Sequence, residues 1–188
     1  RVLPVSDDPM PTYVKTDEGT LAFQEYFVRR QCRPVVTGFE FRNVAQAAPA
    51  PGVLETLRQA DLVVICPSNP WVSIDPILSV RGVRAEIAKK TLIAVSPIIG
   101  GKTVKGPAAK MFAELGMEAS AFSVAGHYRD LLDGFVFDRI DHDQAITIGG
   151  LGLAILETDT IMKTPHKRAD LAEQVVEFGL ELLEEQSL

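Results

Sequence analysis

Cysteine, histidine and tryptophan are scarce in this 188-residue chain, at two, three and one. Cys32 and Cys66 show neither a CxxC spacing nor a matching histidine cluster, which argues against a metal–thiolate site. So little cysteine fits a reducing cytoplasm. Cys66 ends an apolar run, where a cysteine is expected to act as a small buried hydrophobe. His127, His142 and His166 are scattered, with no Ser-His-Asp order and no HxxxH spacing, so hydrolase and zinc readings lack support. No apolar run approaches the roughly 18–20 residues needed to span a bilayer, which excludes a membrane-spanning helix. A GxGxxG turn is also missing, so a plain dinucleotide-dependent oxidoreductase ranks well behind other readings. The chain opens Arg1-Val2-Leu3-Pro4 with no initiator methionine, charged n-region or cleavage-site pattern. It reads as a chain cut into, or processed, rather than secreted.

The composition that remains is that of a globule of about one domain, 46% apolar and 23% charged. Nineteen basic against twenty-five acidic residues give −6, which argues against broad nucleic-acid binding. The charge is uneven. Residues 167–188 hold two basic and six acidic side chains, while residues 81–130 hold eight basic and four acidic. Within the second stretch Lys102, Lys105 and Lys110 occur with no carboxylate between Pro97 and Phe112. A small anion such as a phosphate is therefore the expected partner, rather than a polyanion.

Four short apolar runs read as buried strands: Leu62–Cys66, Leu92–Ser96, Phe135–Phe137 and Leu153–Leu156. Runs without polar alternation, separated by helix-like segments, are what a parallel sheet covered on both faces requires. The expected fold is therefore α/β, a Rossmann-like, mostly parallel sheet. One domain is expected over residues 1–188, with a small helical subregion at about 106–150. Near the start, Val2–Val5, Tyr13–Lys15 and Leu21–Phe23 with Asp17-Glu18-Gly19 between suggest a hairpin beside the main sheet. Asp75-Pro76 reads as an N-cap with a first-turn proline, Gly106-Pro107 opens a helix that Gly116 closes, and Thr164-Pro165 starts the last helix. In that helix Leu171, Val175, Phe178 and Leu182 share one face. The tract Ala47–Gly52 reads as a connector.

Ligands of open parallel sheets sit beyond the carboxyl ends of the strands. Polar residues gather there in three loops: Ser68-Asn69-Pro70-Trp71-Val72-Ser73; Ser96 with Gly100-Gly101-Lys102 and Lys105; and Thr158-Asp159-Thr160 with Lys163. Ser68, Asn69 and Ser73 either meet an anionic oxygen at a helix start or only cap the helix and close the turn. Gly100-Gly101-Lys102-Thr103 invites a P-loop reading, but the place of the first P-loop glycine holds Ser96. What remains is a glycine turn whose Lys102 and Lys105 either approach a phosphate or are merely solvated. Trp71 stacks on an aromatic ligand or packs in a core or subunit contact. His127, with Tyr128 and Arg129, lines a site or serves structure. Asp7 and Asp8 hold Mg²⁺ or cap a turn.

Taken together, these loops resemble one family. Ile65–Ile74 followed by Pro76-Ile77-Leu78, and Ala94–Lys102 with Val104–Met111, are similar to the 2-phospho-L-lactate transferases of coenzyme F-420 biosynthesis, the CofD/FbiA type. So are Leu3-Pro4 with Ser6–Pro9, Thr16–Gly19 through Phe23–Arg30, His127-Tyr128 with Leu131–Phe135, and Thr158–Thr160 with Met162-Lys163. The resemblance implies a magnesium-dependent cytoplasmic transferase, a homodimer, that moves a phospholactyl group from a guanosine diphosphate-linked donor to the deazaflavin Fo. F-420-0 and GMP are the implied products, or dehydro-F-420-0 where the donor carries phosphoenolpyruvate. The family's opening glycine-rich turn and its acidic residues have no counterpart in this sequence, so metal ligands and a catalytic base are not assigned. As a separate polypeptide the chain is expected to have low activity. The alternative is a non-catalytic, nucleotide-sugar-binding regulator of the related gluconeogenesis-factor type.

Overall fold

The structure, a computed structural model, describes residues 2–185. Its elements in chain order are β1 Thr12–Thr16, β2 Gly19–Ala22, β3 Val36–Phe41, α1 Val53–Gln59, β4 Leu62–Ile65, α2 Asp75–Leu78, α3 Val83–Ile87 and β5 Thr91–Val95. They continue as β6 Ile98–Ile99, β7 Lys102–Thr103, α4 Ala108–Glu114, α5 Ala121–Tyr128, β8 Gly134–Asp138, α6 Ala145–Gly149, β9 Ala154–Thr158 and α7 Pro165–Glu185. Two π-helical turns, Glu25–Arg29 and Pro70–Ile74, and a 3-10 segment, Arg139–Gln144, lie between them. Where the sequence reads as one domain, the chain forms two units. One takes the chain up to Gln59 with Asn69–Glu86 and Lys105–Ala119, and the other takes Ala60–Ser68, Ile87–Val104 and the chain from Ser120 onward.

The second unit holds a four-stranded sheet in the order β4-β5-β8-β9, every pair parallel. All four expected runs are its strands. The apolar face of α7 explains half of each run. Leu171 and Val175 form a cluster with Ile93, Val95 and Val136, and Leu62, Val64, Leu156, Phe178 and Leu182 pack against it. The intervening residues Leu92, Ala94, Phe135 and Phe137 point the other way and are also fully buried. The central strands β5 and β8 are buried on both faces, which leaves no room for polar alternation there, whereas Ile155 of β9 is exposed. Thr164 caps α7, its Oγ1 accepting the Lys167 N–H at 3.2 Å. Gly179 lets the helix approach closely, for a Cβ there would lie 2.5 Å from Leu62 Cδ2 and 2.9 Å from Ile93 Cδ1. α5 packs on α6, and α6 on β9. The interval 106–150 thus carries α4, α5 and α6 but also β8, the strand between β5 and β9.

The first unit is built on an antiparallel sheet in the order β2-β1-β3. The expected hairpin is β1–β2, closed at Thr16↔Gly19, where Thr16 Oγ1 donates to the Gly19 carbonyl at 2.7 Å. Its third strand is β3, which the sequence reading did not find, and Val2–Val5 is not a strand. Pro4 has no N–H to give a ladder. Val5 instead accepts the Ala50 N–H at 2.9 Å, and Ala47 and Ala50 are buried, so the Ala-Pro tract is fastened rather than loose. Asp8 takes part in this, accepting the Ala48 N–H at 2.9 Å.

Candidate functional site

The carboxyl edge of the parallel sheet, within the second unit, collects Ser68 after β4, Ser96 and the glycine turn after β5, the 3-10 segment after β8, and Asp159 with Lys163 after β9. Ser96 is buried and closes its own turn: Oγ donates to the Ile98 carbonyl at 2.9 Å and accepts the Ile98 N–H at 3.2 Å. Beyond it β6 and β7 form a minimal hairpin, Ile99 opposite Lys102, with Gly100-Gly101 as the two-residue turn. Both glycines have positive φ, 55° and 72°, as a primed hairpin turn demands. A side chain at Gly100 would also meet Ile140 Cγ2 at 3.1 Å. Lys102 follows the turn with its side chain exposed.

Two carboxylates that the sequence reading did not single out organise this edge. Asp141 accepts the Gly100 N–H on both oxygens, at 3.1 and 3.0 Å, and the Gln144 side-chain amide at 3.0 Å. Burial pushes its carboxyl above the ordinary range, with Asp138 and Asp143 adding to the rise, while the Gly100 and Gln144 bonds oppose it. Asp138 accepts the Ile140 N–H at 3.1 Å, the Thr160 N–H at 2.8 Å and the Thr160 hydroxyl at 3.1 Å. The acidic run Asp138-Arg139-Ile140-Asp141-His142-Asp143, directly after a buried strand, was the signal available for them.

Asn69, Trp71, Ser73 and Lys105 belong to the other unit. Asn69, not Asp75, is the N-cap that matters. Its Oδ1 accepts the N–H groups of Trp71 and Val72 at 3.1 and 3.3 Å, with Pro70 in the first turn, and its Nδ2 faces Met111 Sδ at 3.2 Å. Asp75 sits inside the continuing helix, whose N-cap position is Ile74 with no side-chain bond. The Pro70–Ile74 turn is π-helical, a form that recurs at functional sites. Trp71 is buried between Phe39, stacked at 5.6 Å, and Phe112, tilted at 4.4 Å. Ser73 is half-buried, its N–H on the Asn69 carbonyl at 3.1 Å, and Lys105 is exposed. Lys110 leaves the basic run: it pairs with Glu114 and donates to the Pro34 carbonyl at 3.1 Å.

Other expected residues are engaged locally. Asp159 pairs with Lys167 and accepts the Ile161 N–H at 3.0 Å, which holds its carboxyl below the usual range, Lys167 contributing most. Lys163 is exposed. His127 sits edge-on to Tyr128 at 4.7 Å. Cys66 is exposed rather than buried, because β4 ends at Ile65 and the chain emerges from the sheet.

The sequence profile of the 2-phospho-L-lactate transferase CofD family matches residues 1–156. The chain belongs to the CofD family. A 2-phospho-L-lactate transferase of Methanosarcina mazei is 42% identical over 177 residues, covering 94% of this chain and 58% of that protein. A phosphoenolpyruvate transferase of Thermobifida fusca is 40% identical, covering 98% of this chain and 58% of that protein. This CofD-family chain therefore spans about 58% of the length of these curated relatives. A crystal structure of the Bacillus halodurans protein BH3568, of the UPF0052 family, shares the fold with a TM-score of 0.64 at 14% identity, covering 94% of this chain and 61% of that one.

No ligands for the magnesium that the CofD resemblance implies are assigned among the described residues. Among the described residues no three of His, Cys, Asp or Glu gather as a metal-binding group. Asp8 is spent on Ala48, and Asp138 and Asp141 are spent on backbone N–H groups. No helix among the described residues is long and apolar enough to cross a membrane.

His142 adds a pH-dependent tie at this edge. Its Nδ1 lies 2.5 Å from Glu157, and that hydrogen bond and charge raise the imidazole above its ordinary range, with Asp143 adding a little. A raised histidine stabilises the fold fully below its unfolded value, and the contribution is lost as pH rises through the folded one. His142→Gln is therefore expected to lower the urea midpoint at about pH 5 and to leave it unchanged at about pH 8. Equal shifts at both would contradict the ion pair.

Proposed function

We propose that this chain forms the phosphate-handling part of a transferase that moves a phospholactyl or phosphoenolpyruvyl group from a guanosine diphosphate-linked donor to the deazaflavin Fo. The profile match over residues 1–156 carries the reading. The phosphoenolpyruvate transferase relative keeps both donors in view. In the reaction the Fo hydroxyl oxygen attacks the phosphorus next to the lactyl or enolpyruvyl oxygen. The bond from that phosphorus to the bridging oxygen breaks, GMP leaves with the bridging oxygen, and the hydroxyl proton is lost. No covalent enzyme intermediate is needed, so the protein's task is to hold phosphates and the hydroxyl in line.

At the carboxyl edge of the parallel sheet, Gly100, Gly101 and Lys102 are the phosphate-facing residues of this proposal, with Ser68, Ser96, Asp159 and Lys163 around them. Asn69, Ser73 and Lys105 of the other unit, and His127, remain proposed contacts on sequence grounds, whereas Trp71, packed between Phe39 and Phe112, is not among them. The Gly100 N–H is held by Asp141, so the positive charge offered to a phosphate at the turn is that of Lys102. No step is assigned to Mg²⁺, and Asp7 and Asp8 are not assigned as its ligands. A homodimer in the cytoplasm completes the proposal.

The test is chromatographic. Turnover with Fo, Mg²⁺ and lactyl-2-diphospho-5′-guanosine is expected to be slow and to give F-420-0 and GMP in equal amounts. GMP without F-420-0 would make the protein a hydrolase of the donor and overturn the transfer.

A further inference from the structure

Asp138 and Asp141 are only 3% and 2% exposed, and a carboxylate so deeply buried is costly unless its oxygens are used. Three residues apart at the end of β8, they are used in opposite directions along the sheet. β8 lies between β5 and β9. Asp141 reaches 41 residues back in sequence, to the Gly100 N–H in the loop after β5. Asp138 reaches 22 residues forward, to the Thr160 N–H and hydroxyl in the loop after β9. Gln144 extends the brace, donating to Asp141 and accepting the Phe122 N–H at 2.9 Å. A residue that only capped the 3-10 segment would need the local bond to Ile140 and nothing more.

We propose that Asp138 and Asp141 are positioning residues, each fixing one of the two loops that flank β8 at the carboxyl edge. Asp141 fixes the Gly100-Gly101 turn that carries Lys102, and Asp138 fixes the Thr160 loop that carries Asp159 and Lys163. The geometry stands by itself, and its consequence for phosphate binding rests on the function proposed above. Asp141 acts through the turn: it holds the left-handed glycine pair in place and so sets where the Lys102 ammonium is presented.

The experiment is amide hydrogen exchange on the 188-residue chain, paired with calorimetric titration using guanosine diphosphate as the probe. Asp141→Ala is expected to speed exchange of the Gly100 to Lys102 amides about ten-fold, leaving the Thr160 and Ile161 amides unchanged. Asp138→Ala is expected to do the reverse. Asp141→Asn keeps an acceptor oxygen for Gly100 and is expected to retain most of the protection. Guanosine diphosphate affinity is expected to fall about ten-fold in Asp141→Ala and in Lys102→Ala, the latter with exchange unaltered. Unchanged exchange at Gly100, or equal acceleration in both loops together with β5 and α7, would overturn the positioning role. Selective loosening with guanosine diphosphate affinity intact in both variants would uphold it while refuting the phosphate reading of the turn.

Discussion

Trp71→Ala is expected to destabilise the fold by about 4 kcal/mol, because nothing nearby can refill the space of an indole. Trp71 is stacked on Phe39 and tilted against Phe112, itself fully buried, so truncation removes both ring contacts and leaves a cavity. The Asn69 cap that sets the start of this turn would then hold a helix anchored only by Pro70 and Leu78. Trp71→Phe, which keeps a ring between the two phenylalanines, is expected to recover more than half of the loss. Urea unfolding followed by far-UV circular dichroism is the measurement, since the variant lacks the chain's one tryptophan. Amide exchange should place the weakening first in β3 and α4. A loss below about 1 kcal/mol would mean that Trp71 is not a core residue and is available to a ligand.

The second large effect belongs to the other unit. Gly179→Val is expected to cost about 3 kcal/mol, by forcing α7 off the sheet. Helix propensity alone predicts a small gain from replacing a mid-helix glycine. Sterics decides the sign, because the added Cβ would lie 2.6 Å or less from both methyl carbons of Leu62 and 2.9 Å from Ile93. Adding Leu62→Ala should recover part of the loss, as expected of two residues that share one volume. A neutral Gly179→Val, measured by the same urea titration, would contradict this packing.

How much of this was legible in the sequence depends on the reach of each interaction. Thr91–Val95 and Gly134–Asp138 could be read because burial on both faces favours apolar residues at successive positions, and Leu62–Ile65 because it too is a continuous apolar run. The face of α7 could be read from Leu171, Val175, Phe178 and Leu182. β3 escaped because Gly38 interrupts Val36–Phe41 and its partner β1 lies some twenty residues away. Two Asx-Pro pairs, Asn69-Pro70 and Asp75-Pro76, carry the same local capping signal, and only the path of the chain lets the first take the cap. The glycine turn was legible as a turn but not as a hairpin braced from Asp141. That bond joins residues 41 apart, and no local pattern announces it. Lys110 was legible as a charge and not as the partner of Glu114 and Pro34.

The proposed transfer to the deazaflavin Fo, as against nucleotide-sugar binding by a regulator, is tested most directly by titrating Fo with the protein and following its fluorescence. Saturable quenching, with guanosine diphosphate bound in preference to a UDP-sugar, is the expected result. Undiminished Fo fluorescence together with tighter binding of the UDP-sugar would contradict it.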